Sequence, residues 1–179
     1  MVVLIMALLE HPERVTQVTE CLVVQGHHEL CVVSTFERAK ATLKNHVFDL
    51  IISDVHLENG GSVFDFLRWS KSHPRLHTVP FVLLSVAPSE PAKYLTDGVR
   101  TAARALGAAK YITMDVFSAD VLIAELSELL SNESVGEAAL DHDDGNGRTP
   151  SVPAADAYTN QCSLFVKAAD VNSSSNANP

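Results

Sequence analysis

Two carboxylates and a hydroxyl stand at the ends of apolar runs in this 179-residue chain, where chemistry is most easily placed. Glu10 follows MVVLIMALL, Asp54 closes FDLIIS and Ser85 closes PFVLLS. An ionised acid at the end of a buried strand is costly unless a cation or hydrogen-bond donors compensate it. Asp54 is therefore either the centre of a site built on charge compensation or the cap of the turn that follows it. In an open parallel sheet, sites form at the carboxyl ends of the strands near the switch in strand order. The residues there are Leu9, Glu10, Asp54, Ser85 and Met114.

Other constellations offer less. His27 and His28 are adjacent, so in a strand their side chains point opposite ways and cannot share an ion. His73 and His77 flank Pro74 in what reads as a surface loop. No Gly-rich loop follows the first apolar run, which argues against a nucleotide site. No Ser, Cys and His arrangement suggests a hydrolase. Asp54-x-His56 resembles the start of the corrin-binding pattern Asp-x-His-x-x-Gly, but Asn59 stands in the glycine position and the segment follows the third strand instead of the first.

The elements that position these residues alternate strictly. Strands are expected at Val2 to Leu9, Glu29 to Val33, Phe48 to Asp54, Pro80 to Ser85 and Tyr111 to Thr113. Three of them are continuous apolar runs, as strands covered by helices on both faces require. Helix one starts at Pro12, buries Val15, Val18 and Leu22 and closes at Gly26. Helix two is capped by Thr35, with Phe36, Ala39 and Leu43 inside. Helix three runs from about Ser62 to Ser72, and helix four from about Pro91 to Leu106 before Gly107. Helix five is capped by Ser118 and buries Val121, Leu122, Leu126 and Leu129. Five strand–helix units imply an α/β fold, a doubly wound five-stranded parallel sheet in the order 2-1-3-4-5 with five helices.

Composition sets limits on function. The hydrophobic share is 46% and the net charge is −9, so the chain can bury a core but lacks the basic footprint of a nucleic-acid binder. The three cysteines form no close pair, which points to free thiols in a reducing compartment. The apolar start has no basic n-region or small-residue cleavage site and is too short to span a bilayer. A cytoplasmic protein without membrane contact is expected. Beyond Ser131 the chain turns to Asn, Ser, Asp, Gly, Ala and Pro, so 1–131 is read as one domain and 132–179 as a disordered acidic and polar tail. An apolar island, Cys162 to Val166, is either a chance cluster or a docking segment.

FDLIISDVHLENGG resembles the central segment of response-regulator receiver domains, and the resemblance runs from residue 1 to about 131. It implies a flavodoxin-like fold and two-component signalling. It makes Asp54 the phosphoacceptor and Ser85 the hydroxyl that bonds the phosphoryl group. Tyr111, in GAAKYI, becomes the switch aromatic. Glu10, counted back from Gly26, falls on the second of the family's two metal-binding acids. With Asp54 and the His56 carbonyl it would hold Mg2+, an ion that favours oxygen ligands.

The departures from the family are specific. Leu9 replaces the first acid, Met114-Asp115 replaces a Lys-Pro pair, and Glu58 stands where Pro is common. The stretch between Ser85 and Tyr111 is also longer than usual. Lys110 lies roughly 13 Å from Met114 along the strand, too far to replace the lysine. Lys93 is the other candidate, from the lengthened loop. The resemblance implies a non-enzymatic phosphorelay component, supplied by a histidine kinase or histidine phosphotransfer protein and signalling to a downstream protein target by contact. The departures keep a pseudo-receiver, an interaction module that is not phosphorylated, as the alternative.

Overall fold

A computed structural model describes residues 2–57, 61–133 and 164–167. The strands are β1 (Leu4–Leu8), β2 (Glu29–Val33), β3 (Leu50–Asp54), β4 (Phe81–Val86), β5 (Lys110–Met114) and β6 (Leu164–Val166). The helices are α1 (Pro12–Thr19), α2 (Phe36–Asn45), α3 (Val63–Ser72), α4 (Glu90–Ala105) and α5 (Ala119–Glu133). One sheet holds all six strands in the order β5-β4-β3-β1-β2-β6, and the first five are parallel. The five-stranded 2-1-3-4-5 arrangement with five helices is thus as expected.

Strand alternation divides the interior into two cores. Ile5, Ala7 and Leu9 face one side with Leu50, Ile52, Val82, Leu84, Ile112 and Met114, where Val18 and Leu22 and α5 residues Leu122 and Leu126 cover them. Met6, Leu8, Ile51, Phe81 and Leu83 face the other, covered by Ala39 and Leu43 of α2, Phe66 and Leu67 of α3 and Ala103 of α4. Every residue of β3 and β4 is buried, which is why these strands read as unbroken apolar runs. Phe66 anchors the second core, stacked at 5.8 Å on Trp69 and meeting Phe81 edge-on. Thr35 accepts a hydrogen bond from the Arg38 N–H and Ser118 one from the Val121 N–H, so both expected caps form.

Several details differ from the expectations. The first helix ends as a π-helical turn, Glu20–Gln25, in which the Gly26 N–H reaches the Cys21 carbonyl. Gly26 keeps right-handed angles, and His27 takes the left-handed conformation (φ 54°). Glycine is required there by closeness, since a Cβ would lie 2.8 Å from the Leu22 carbonyl oxygen. Val121, expected inside, is 45% exposed, because the wide turn and α5 meet along Leu122 and Leu126 instead.

Part of the island expected within the tail is a strand. β6 lies antiparallel on the free edge of β2, with Cys31 opposite Phe165, and Lys167 pairs with Glu29 at 3.1 Å. It covers backbone groups that an edge would leave open. Residues 132 and 133 of the expected tail end α5, and its remainder apart from 164–167 lies outside the described residues, as do Glu58 and Asn59.

The expectation of free thiols holds for Cys21, which is buried. It is corrected at Cys31, which is disulfide-bonded. The third cysteine, Cys162, lies outside the described residues. An odd cysteine count does not exclude a disulfide, so cysteine usage no longer argues for a reducing compartment. Among the described residues, no helix is long and apolar enough to cross a membrane.

Ala87, just after β4, has φ 52°, a conformation that is unfavourable for any residue with a Cβ. Its N–H donates to the Met114 carbonyl at 2.8 Å, which ties the β4 and β5 ends together and holds the strain. Ala87→Gly should therefore raise unfolding stability by about 0.5–1 kcal/mol, the relief of strain less the entropy glycine adds to the unfolded chain. Denaturant unfolding checks this; a loss of stability would contradict it.

Candidate functional site

The site grows from the end of β3. Leu50, Ile52 and Asp54 share the face that α1 and α5 cover, so the strand drives its terminal acid to the rim of that core. Asp54 is only 4% exposed. Burial pushes its carboxyl above the usual carboxylate range. The His56 N–H, Arg14 and the rings of His56 and His11 act in the opposite direction. The N–H of His56 donates to Asp54 Oδ1 at 2.9 Å. Arg14, in the first turn of α1, brings its Nε to 3.7 Å from Asp54 Oδ2.

Ser85 lies one strand away, at the end of β4, and is buried. Its Oγ is 3.2 Å from Nε2 of His56, so the histidine spans from the backbone beside Asp54 to the hydroxyl. Asp54, His56 and Ser85 thus form one connected group. Tyr111 lies on β5, on the face opposite Asp54, half-buried beside Leu106 and Ala108. It is not joined to that group by any described hydrogen bond and lines a cleft with Arg100, Arg104 and Lys110.

The position that the resemblance gives to the first acid belongs to the core. Leu9 is 1% exposed, and the pairing of Leu8 with Ser53 places it beside Asp54 on the same face. Glu10 follows one step further, half-buried at the same end of the sheet. Met114 is buried too, its sulfur accepting the Ser118 N–H at 3.5 Å. Neither candidate lysine replaces it. Lys110 is bound to Glu125 and Glu128 of α5. Lys93 lies 2.9 Å from Glu90 and 3.3 Å from Asp115, both of which raise its pKa.

Sequence reasoning overlooked Arg14 and the His56 ring. A signal for Arg14 existed: it stands one turn before Val18, on the inward side of a helix that begins at the strand ends. The His56 ring carried none, because its contact with Ser85 spans 29 residues of sequence.

The residues present do not make a ready Mg2+ site. Among the described residues, no group of three or more His, Cys, Asp and Glu side chains gathers as a metal site. One Asp54 oxygen already accepts a hydrogen bond, the other faces a guanidinium, and the first acidic position is apolar.

No family model matches the chain, and no curated protein matches it. Solved structures do. It is similar to the signal receiver domain of a signal transduction histidine kinase from Syntrophus aciditrophicus, at 25% identity and TM-score 0.61, covering 77% of this chain and 97% of that one. It is also similar to the chemotaxis response regulator CheY4 of Vibrio cholerae, at 20% identity and TM-score 0.59, covering 72% and 99%. A third similar structure is the receiver domain of a sensor histidine kinase from Pseudomonas aeruginosa, at 17% identity and TM-score 0.56, covering 74% and 97%; that protein has a magnesium ion coordinated in its active-site cleft.

Proposed function

We propose that this chain, whose fold is that of a response-regulator receiver domain, accepts a phosphoryl group at Asp54 and signals by contact with another protein. The observation that carries this reading is the placement of Asp54. The acid is buried at the end of β3, beside a serine that one histidine links to it. The likeness to receiver domains of two-component systems supports phosphorelay signalling as the general class.

In the transfer, an Asp54 carboxylate oxygen attacks the phosphorus of a phosphohistidine on a histidine kinase or histidine phosphotransfer protein. The O–P bond forms as the P–N bond breaks, and the departing imidazole takes a proton from water. Catalysis of such a step rests on positioning and on charge near the phosphoryl oxygens. The His56 N–H holds the attacking carboxylate, and on this reading Ser85 is the hydroxyl that bonds the new phosphoryl group. Drawing Ser85 away from His56 would be felt along β4, and Tyr111 on neighbouring β5 is the switch aromatic of this reading. On this reading an added Mg2+ would have to be held by Glu10, Asp54 and the His56 carbonyl; no step is assigned to that ion.

A second reading, a pseudo-receiver that binds partners without phosphorylation, is favoured by Leu9 and Met114, which fill two functional positions with apolar side chains. Beryllium fluoride, a phosphoryl mimic, separates the two in an amide NMR spectrum with Mg2+ present. Phosphoacceptor chemistry predicts shifts at Asp54, Ser85 and Tyr111 that vanish in Asp54→Asn. An unchanged spectrum favours the pseudo-receiver.

A further inference from the structure

We propose that Arg14 is the fixed cation of the Asp54 pocket, supplying from α1 a positive charge that the buried Met114 cannot supply from β5, and that this built-in charge opposes metal binding. The inference deepens the proposed function, since it concerns what neutralises the same acid. A buried acid that stays ionised needs a compensating charge. Of the other cations among the described residues, Lys93 meets Glu90 and Asp115, Lys110 meets acids of α5, Arg68 and Arg100 meet acids on their own helices, and Lys167 meets Glu29.

Arg14 is built into place. Its side chain is 16% exposed, and its guanidinium lies 5.8 Å from the centre of the Phe117 ring, in the loop between β5 and α5. Nη1 donates to Gln17 Oε1 at 2.6 Å, which fixes the fork. Nε, buried and 3.7 Å from Asp54 Oδ2, has no hydrogen-bond partner. The Phe117 ring and the Gln17 bond hold the guanidinium beside Asp54, and arginine is a permanent cation in proteins. It therefore holds its charge against Asp54 without depending on metal supply. An entering divalent cation meets that charge at close range, where Coulomb repulsion in a partly desolvated pocket is strong.

The test measures Mg2+ binding to the full chain by calorimetry, with Mg2+ alone as the probe. Arg14→Gln should bind Mg2+ about tenfold more tightly than the wild type, while Arg14→Lys, which keeps the charge, should stay close to it. A role in packing alone would leave metal affinity unmoved. Near-ultraviolet circular dichroism confirms folding, and Arg14→Met serves as the uncharged variant if Arg14→Gln unfolds. Equal Mg2+ affinity in the wild type and the uncharged variant, or no detectable binding to either, overturns the proposal. Labelling by a small phosphodonor is scored separately. A chain that gains Mg2+ affinity but never labels would sink the phosphoacceptor reading and leave Arg14 in this role.

Discussion

Asp54→Asn is expected to abolish phosphoryl labelling completely and, at neutral pH, to raise the thermal unfolding midpoint. Both effects follow from the position of the acid. Labelling fails because an amide is not the nucleophile that a carboxylate is. Stability rises because burial holds the folded-state pKa of Asp54 above its unfolded value. The folded state then binds the proton more tightly than the unfolded state does. Its contribution to stability is full below the unfolded pKa and declines as pH rises through the folded one. At neutral pH the wild type carries the cost of an ionised buried acid, relieved only in part by the His56 N–H and Arg14. The variant keeps an acceptor for that N–H and loses the charge, so its stability advantage should appear as pH rises out of the acid range. A midpoint that falls at neutral pH would mean that Arg14 and His56 outweigh desolvation.

Leu9→Asp should cost at least about 3 kcal/mol of unfolding stability, although it restores an acid that the resemblance leads one to look for. The leucine is buried against the α1–α5 core and neighbours Asp54 on the same face. The substitution removes apolar packing and sets two carboxylates side by side, with one guanidinium beside Asp54. Denaturant unfolding reads the loss. A cost below 1 kcal/mol would show that the pocket can still hold a second acid.

The sequence made the sheet legible because its strands are buried on both faces. A run such as LIISD must have neighbours above and below, and its terminal acid must meet something polar. The glycine at position 107 and the caps at Thr35 and Ser118 carried the helix ends in the same way, through local geometry. What could not be read was non-local. Three residues, Leu164–Val166, form a strand on the free edge that β2 offers far away in the chain, and Cys31 of β2 is disulfide-bonded. In the site, Asp54 and Ser85 were placed by the strands that end there. The cation was sought on β5, where the resemblance leads one to expect a lysine, and at Lys93, which lies in the first turn of α4, whereas the guanidinium beside Asp54 comes from α1. Charge can approach one acid from any element that packs over it, and pattern alone does not say which.

Intact-mass measurement after incubation with a small phosphodonor and Mg2+ tests the phosphoacceptor directly. The wild-type chain should gain one phosphoryl group, and Asp54→Asn should gain none. A wild-type chain whose mass does not change, or an Asp54→Asn chain that labels equally well, contradicts the assignment of Asp54.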